Sequence, residues 1–386
     1  MNSITSLLKK NLKQSSMVIA LVLITLLFQV LTDGTLLKPL NITNLILQNS
    51  YILILAVGMV LVIITGHIDL SVGSVAAFIG AISAILMINM QMNPVLAVII
   101  CLAVGALIGA WQGFWVAYVG IPAFIVTLAG MLLFRGLTLV VLQGQSIAPY
   151  PESFQTLSNG FMPDLFGGTD IHILSIIIGV AVSLILIGLE IKGRNSQLRY
   201  NFEVGPKGFF YAKLVAIFAV VNTFTYVLAT YRGLPNILVI LFAIIVAYTF
   251  VMKKTIIGRH VYAVGGNLKA ASLSGVQTKK VTFGVFVNMG VLAALSGLIF
   301  AARLNAATPR AGNLFELDAI AAVFIGGASA YGGVGTVVGA VIGGLVMGVM
   351  NNGMSILGLG IDWQQAIKGL VLLAAVAFDI INKKKS

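Results

Sequence analysis

The chain has 386 residues, of which 59% are hydrophobic and only 9% are charged, with 23 Lys and Arg against 11 Asp and Glu. An ordinary soluble domain carries roughly 25% charged residues, so this composition excludes a water-soluble fold. It predicts an all-α polytopic membrane protein, because helices satisfy their backbone hydrogen bonds internally within lipid.

Runs of about twenty apolar residues predict the membrane spans, since that length crosses a bilayer. The run at 317–331 is short and interrupted by glycine, which favours a broken or re-entrant helix. No cleavage site follows the first run, so it predicts an anchor and not a signal peptide. In chain order about twelve runs occur, at 17–36, 50–66, 70–90, 95–118, 122–143, 172–191, 212–230, 235–252, 281–301, 317–331, 335–353 and 363–381.

The net charge of +12 is concentrated in four short basic blocks between these runs, at residues 9–13, 192–213, 253–280 and 383–385. Lys and Arg accumulate in the cytoplasmic loops of membrane proteins, so both chain termini are expected in the cytoplasm. A basic protein could also bind nucleic acid, but such a face would interleave aromatic and base-reading side chains on a soluble module. The blocks therefore favour the membrane, and no nucleic acid, as the partner.

Two stretches far apart in the chain resemble each other. The segment Ile68–Gly73 and the segment Glu316–Ala319 each place an acidic residue just before or within the start of an apolar helix. With the expected topology, the first helix opens from the inside and the second from the outside. The sequence therefore predicts one domain over residues 1–386 that contains an inverted repeat, about 50–143 and about 281–381, as in transporters with alternating access.

Ionisable groups near the predicted helices have two interpretations each. The carboxylates of Asp69, Glu316 and Asp318 lie at helix starts, where they can accept hydrogen bonds from free backbone amides or act as gates of a path. Arg135 and Lys368 lie within predicted spans with no obvious partner in the sequence. Their side chains would either reach the membrane surface or form a structural pair within the protein. Alternatively they have a functional role, because a charged group in lipid costs free energy.

Small and amide residues also interrupt the apolar runs. Glycines recur every four residues at 105, 109 and 113 and again at 335, 339 and 343, which predicts close helix packing, with hinges as the alternative. Amides in apolar surroundings can bond helix to helix or line a path for a polar solute. Four residues of this kind are candidates for the path: Asn49, Asn288, Asn351 and Asn352.

The basic segment at about 253–280 is more than a topological signal. It contains a small-residue stretch, Lys269 to Ser274, that is closed by Gly275 and predicts a short helix. A loop that only set the topology would need its lysines and nothing else. The helix therefore predicts a compact protrusion that suits insertion into a groove on a partner.

Catalytic and metal-binding motifs do not occur in this sequence. It has no phosphate-binding G-x-x-x-x-G-K-[ST] and no H-E-x-x-H, and its one cysteine, Cys101, lies in an apolar run. We therefore expect no enzyme, no catalytic residue, no metal site and no cofactor, and energy for active transport would have to come from another subunit.

Several long motifs, in one order along nearly the whole chain, resemble the permeases of bacterial ABC-type monosaccharide importers. This is the family of the ribose and xylose permeases, and the multiple-monosaccharide branch is the most similar. The region of about 172–231 is extra relative to the ten-helix core of the ribose permease. The matching motifs are AVGMVLVIITGHIDLSVGS at 56–74, FIVTLAGMLLFRG at 124–136, GRHVYAVGGNLKAASLSGV at 258–276, ELDAIAAVFIGGASAYGGVGTVVGA at 316–340, NNGMSILG at 351–358 and QQAIKGLVLLAAV at 364–376.

This resemblance implies a transport subunit of the bacterial inner membrane. Its partners would be a cytoplasmic ABC ATPase, an extracytoplasmic sugar-binding protein and a second copy of the permease in a homodimer. Alternatives are a permease for branched-chain amino acids or nucleosides, which share this architecture, and an ion-coupled secondary carrier. The resemblance assigns ATPase docking to eight positions: Gly258, Gly265, Gly266, Asn267, Ala270, Ala271, Ser274 and Gly275.

Overall fold

The computed structural model describes residues 2–168, 171–202 and 204–384, and in these residues it contains fifteen α-helices and no β-strand. Lys385, the last residue of the C-terminal basic block, and the basic side chains of the N-terminal block lie outside the described part. The helices are α1 Asn2–Leu31, α2 Pro39–Ile64, α3 Val72–Ala84, α4 Pro94–Phe114, α5 Ala123–Leu142, α6 Glu152–Asn159, α7 Ile173–Arg199, α8 Lys207–Ala229, α9 Asn236–Lys254, α10 Ile256–Gly266, α11 Leu268–Leu273, α12 Thr278–Leu304, α13 Phe315–Ile325, α14 Val337–Ile356 and α15 Ile361–Lys384. Single π-helical turns extend α3 to Asn89 and α4 to Val119.

Nine of the described helices are long and apolar enough to cross a membrane, namely α2, α3, α4, α5, α7, α8, α9, α12 and α14. The chain is therefore an all-α polytopic membrane protein, as predicted. Three of the predicted runs do not meet the same criterion. The described apolar part of α1 is Met17–Leu31, α13 has 11 residues, and the side chains of the last residues of α15 lie outside the described part.

The short run predicted at 317–331 is a half-helix. α13 ends at Ile325 because Gly326 and Gly327 follow it, and Gly327 has a φ of +79°, which a helix cannot contain. At 1.5 Å per residue its 11 residues span about 16 Å, roughly half of a bilayer core. The prediction of a broken helix is confirmed, although its end at residue 331 was placed too late.

The bundle has two ends, which we name by the short helices that they carry. α9 begins beside α6, where the backbone amide of Asn236 donates to the Gly160 carbonyl at 2.9 Å. It ends at Lys254, directly before α10. We call these the α6 end and the α10 end.

The core of the bundle is formed by α2, α3, α12 and α14, whose apolar windows are at least two-thirds buried. α4 packs across α12 through its predicted glycine face: Gly105 adjoins Gly290, and Gly109 adjoins the Phe286 carbonyl. A methyl group at either α4 position would collide with α12, so the close-packing prediction is confirmed here. Gly335, by contrast, lies before the start of α14, outside any helix.

The predicted extra region forms a hairpin of α7 and α8 at the periphery. Gly179 lies against Thr225, Asn222 donates to Ser183 at 3.1 Å, and the apolar windows of both helices are only 17% buried. These contacts join the two helices to each other, while α2 is the core helix that α8 adjoins. The α7–α8 hairpin is therefore a peripheral unit, and it is much less buried than the core helices.

Candidate functional site

The helix α3 begins in the middle of the bundle. It runs beside α12, with Ala76 against Gly297, and its last turns reach the α6 end, where Ser83 and Tyr150 share a 2.8 Å hydrogen bond. α2 ends at Ile64, at the α10 end, so the connection over residues 65–71 returns into the interior. α3 is thus a broken helix in the sense that it starts inside the bundle, although with its π-helical turn it has the 18 residues of a membrane span.

The start of α3 is held by a chain of satisfied polar groups. Asp69, which is 3% exposed, accepts hydrogen bonds from the backbone amide of Ser71 at 2.8 Å and from its hydroxyl at 2.7 Å. The same hydroxyl accepts from Gln112 of α4 at 2.7 Å. Asp69 therefore bonds the residue just before α3, and no hydrogen bond joins it to an amide within the first turn of that helix.

The second broken helix, α13, begins against the start of α3. A methyl group on Gly73 would collide with the Gly312 carbonyl and with the Glu316 carboxylate, so these two helix starts meet. α13 then runs to the α10 end, where Gly326 packs against Gly339 of α14. The two N-termini therefore converge in the interior and their helices diverge toward opposite ends of the bundle.

Glu316 and Asp318 lie in the first turn of α13 but have different environments. Glu316 is 6% exposed, and its Oε2 is buried with no hydrogen-bond partner among the described residues. Asp318 does not cap its helix; it pairs with Lys368 of α15, whose Nζ lies 3.0 Å from Oδ1 and 3.1 Å from Oδ2. Lys368 therefore pairs structurally, which was one of the interpretations left open by the sequence, and its partner lies fifty positions away in the chain.

Arg135 of α5 reaches the same region. Its Nη1 donates to Asn313 at 3.0 Å, while its Nη2 is buried without a partner among the described residues. Its charge acts on Glu316, as do those of Asp318 and Asp69. The structure therefore gathers Asp69, Glu316, Asp318, Arg135 and Lys368 around the two helix starts.

The four predicted amides do not join this cluster. Asn352 and Asn41 bond α14 to α2 through a reciprocal amide pair with distances of 2.7 and 3.1 Å. Asn49 donates to Leu45 within α2 and packs against Gly348 of α14. For Asn352 the helix-to-helix interpretation is thus confirmed, and Asn49 supports the packing of the same two helices.

The remaining two amides each retain an unsatisfied atom. Asn288 of α12 accepts a short hydrogen bond from the Tyr248 hydroxyl of α9, while its Nδ2 is buried without a partner among the described residues. The Asn351 side-chain oxygen is also buried and unpartnered there. Asn288 lines a separate cavity of about 780 Å³ near the α10 end.

The predicted short helix is present as α11, and a second helix that was not predicted, α10, precedes it; we call α10 and α11 together the protrusion. Asn267 caps α11, because its side-chain oxygen accepts from the Ala270 backbone amide at 3.0 Å, and Gly275 ends the protrusion with a φ of +84°. The short helix covers Leu268–Leu273, one residue earlier than the predicted stretch.

The eight positions assigned to docking divide into two groups. Gly258 and Ala271 are buried, and Gly265 is half-buried against the core, so these three hold the protrusion in place. The other five are exposed: Gly266, Asn267, Ala270, Ser274 and Gly275. Beside them, Leu268 is 55% and Leu273 is 90% exposed, which leaves apolar side chains facing outward.

Close backbone contacts join this protrusion to two connections, the one between α2 and α3 and the one between α13 and α14. A methyl group at Gly265 would collide with the Ile64 carbonyl, and that carbonyl accepts a hydrogen bond from the Gly333 amide at 2.8 Å. The Tyr262 hydroxyl donates to the Gly335 carbonyl at 2.8 Å. Burial raises the pKa of this hydroxyl, so it remains a donor at neutral pH.

Sequence reasoning missed several of these residues. Gln112, Tyr262 and Leu273 were not candidates, although a glutamine within an apolar run is a detectable signal for an interhelical bond. Leu273 stands among small and polar residues at the tip of a basic loop, which is also detectable. Tyr262 could not be identified, because its partner is a backbone carbonyl more than seventy residues away.

Comparison with known proteins identifies the family. Residues 41–376 match the family described as branched-chain amino acid transport system / permease component. The chain is 41% identical to the xylose transport system permease protein XylH of Haemophilus influenzae, over 97% of this chain and 98% of that protein. It is 38% identical to XylH of Escherichia coli K12, over 97% and 94% of the two chains.

A ribose permease is also similar. The chain is 36% identical to the ribose import permease protein RbsC of Escherichia coli K12, over 89% of this chain and 86% of that protein. No solved structure matches the chain. A family match over most of the chain, with relatives above one-third identity along nearly their full length, leads to one conclusion: the chain belongs to the family of transport-system permease components.

Proposed function

We propose that this protein is the membrane-spanning permease subunit of an ATP-binding-cassette importer for monosaccharides in the bacterial inner membrane. The similar proteins are named for xylose and ribose transport, and the similarity covers nearly the whole chain. A separate cytoplasmic ATPase supplies the energy, and an extracytoplasmic sugar-binding protein delivers the substrate. The pore forms between two copies of the chain.

The protrusion of α10 and α11 is the ATPase-docking element in this proposal. Its outward face combines small residues with the exposed side chains of Leu268 and Leu273, and the 253–280 segment has six Lys or Arg and no acidic residue. Small residues permit close approach, and leucine side chains can occupy an apolar groove on the ATPase. The α10 end would then face the cytoplasm, in agreement with the positive-inside rule.

The observation that carries the proposal is the junction of Gly265, Ile64 and Gly333. Ile64 precedes the connection to α3, and Gly333 lies in the connection between α13 and α14. A displacement of α10 by the ATPase therefore acts on both connections at one place. Because the two helix starts converge in the interior, such a displacement can change the path between them.

The cluster of Asp69, Glu316, Asp318, Arg135 and Lys368 would border that path. Charged groups deep in a membrane protein are costly unless they pair or serve transport. Two of these residues, Glu316 and Arg135, each have a buried side-chain atom with no hydrogen-bond partner in the part of the chain that the structure describes. They are therefore available for a different pairing in another state of the transport cycle.

The proposal is tested with the complete importer in proteoliposomes. Gly265→Ala should leave the ATPase bound, because Gly265 faces the core, but should reduce ATP-driven uptake of xylose or ribose at least tenfold. The physical reason is the collision between the new methyl group and the Ile64 carbonyl. Uptake and co-purification of the ATPase are measured on the same preparation.

A matched control is Gly284→Ala on α12, where a methyl group would meet only open space. It should transport as the unaltered chain does. Uphill sugar uptake by the permease alone, without ATP, would remove the importer assignment. If the complete importer takes up amino acids or nucleosides in preference to sugars, the proposed substrate class is wrong, while the assignment as a permease subunit stands.

A further inference from the structure

A groove of about 450 Å³ opens beside the first turn of α13. Side chains from α2, α13, α14 and α15 line it, and its volume falls within the range of small-molecule sites. This groove is distinct from the Asp69 side of the cluster, because neither α3 nor α4 contributes to its lining.

One part of the groove is aromatic. The rings of Tyr51 and Phe315 both line it, with their centroids 4.4 Å apart and an angle of 35° between their planes. Phe300 braces both rings by edge contacts at 4.9 and 5.0 Å. The braced rings provide a rigid apolar surface of the kind that the C–H face of a sugar ring can cover.

The rest of the groove carries uncharged hydrogen-bonding groups and one ion pair. Amide side chains come from Asn313, Gln364 and Gln365, and together they present amide N–H donors and carbonyl acceptors to the groove, of which the Gln364 donors are already bonded within the protein. The Gln364 amide nitrogen is oriented by bonds to Ser355 and to the Leu359 carbonyl, at 3.2 and 2.9 Å. Hydroxyl groups, which both donate and accept, are the ligand groups that match such a lining.

The ion pair of Asp318 and Lys368 decides between ligand classes. Both carboxylate oxygens contact the same ammonium, so the two charges neutralise each other inside the groove. A zwitterionic amino acid would have to break the pair to obtain counter-charges, which is costly at a largely buried site. A neutral polyol needs no counter-charge, and the carboxylate retains lone pairs for its hydroxyls.

We propose that this groove is a low-affinity binding site for a monosaccharide within the permease, between the delivering protein and the cytoplasm. The inference rests on the proposed function and adds a substrate-recognition site to it. The site is weak, with a Kd on the order of 1 mM, because conduction requires that the substrate leave as readily as it enters.

The test fills the groove without disturbing the fold. Gly369 lines the groove on α15, and a Cβ there would have no atom within 4 Å, so Gly369→Leu adds a bulky side chain at the groove wall without a clash at Cβ. Leucine also favours a helix more than glycine does. The matched control is Gly188→Leu on the peripheral α7, where a Cβ also meets open space.

Binding is measured by saturation-transfer difference NMR with D-xylose, using the full-length permease in nanodiscs without its binding protein. The unaltered chain and Gly188→Leu should transfer saturation to the sugar protons, whereas Gly369→Leu should lose at least 80% of the signal. Gln365→Ala, a milder change, should weaken binding about fivefold, the loss of one hydrogen bond.

Uptake by the complete importer separates this inference from the proposed function. Gly369→Leu should reduce ATP-driven uptake about tenfold with the ATPase still bound. If the unaltered permease transports sugar but gives no saturation transfer, or if Gly369→Leu binds and transports normally, the groove is not a sugar site. If no sugar is transported at all, the function itself is wrong.

Discussion

The two broken helices of the core, α3 and α13, begin side by side. The polar groups at the start of α3 are hydrogen-bonded, whereas some of those at the start of α13 have no partner. At the start of α3, Asp69, Ser71 and Gln112 form a continuous hydrogen-bonded chain, with distances of 2.7 to 2.8 Å. At the start of α13, the Glu316 carboxylate and the Arg135 guanidinium each have a buried atom without a partner among the described residues.

This difference in hydrogen bonding can make one of two neighbouring helices rigid and the other mobile. Satisfied buried hydrogen bonds fix a structure, because breaking one leaves an unpaired group at a cost of about 1–3 kcal/mol. Unsatisfied buried groups are already destabilised, so rearrangement costs less and can improve their pairing. We infer that α3 is the fixed side of the interior and that α13, with α15 attached through Lys368, is the side that moves.

The largest expected effect comes from breaking the ion pair that joins α13 to α15. Lys368→Met leaves the Asp318 carboxylate largely buried without its cation, which should cost about 3 kcal/mol. Thermal unfolding of the detergent-solubilised permease measures the loss of stability, and sugar uptake by the complete importer should fall with it.

The double variant Lys368→Met with Asp318→Asn is the control for this prediction. It removes both charges, so most of the lost stability should return. Transport should not return to the same extent if the pair also orders the groove between α13 and α15. Unchanged thermal stability in the single variant would show that the pair does not hold the two helices together.

Much of the fold could be predicted because local composition determines it. Apolar runs identified the nine helices that can span a membrane, and the spacing of Gly105 and Gly109 identified the α4 face that packs on α12. The short helix α11 was also predicted within one residue, because a small-residue stretch ends at a terminating glycine there, whereas α10 was not predicted.

The pairing of charged residues could not be predicted, since it depends on which helices become neighbours. Lys368 had no obvious partner in the sequence because Asp318 is fifty residues away, on a helix whose end was predicted too late. Likewise, the amides Asn41 and Asn352 are 311 residues apart. A single sequence contains no record of such contacts, whereas apolar periodicity is present in every run.

A smaller effect is expected from the fixed side. Asp69→Ala removes the acceptor of the Ser71 amide and hydroxyl, which should cost about 1–2 kcal/mol of stability. If α3 is a fixed support, the rate of uptake per correctly folded importer should change less than twofold. Thermal unfolding and uptake normalised to bound ATPase check the two parts separately, and a large loss of normalised uptake with unaltered stability would place the moving side at α3.

The smallest effect on stability is expected from Asn313→Ala. This substitution tests the unpaired groups at the start of α13 most directly. Asn313 is exposed, so its loss should change the free energy of unfolding by about 0.5 kcal/mol or less. The Arg135 guanidinium then loses its acceptor and should turn to the free oxygen of Glu316. In that background Glu316→Gln should cost about 1 kcal/mol more than it does in the unaltered chain. A double-mutant cycle of unfolding free energies measures this coupling. A coupling energy near zero would mean that the Arg135 guanidinium and the Glu316 carboxylate cannot reach each other. α13 would then lack the alternative pairing on which its mobility depends.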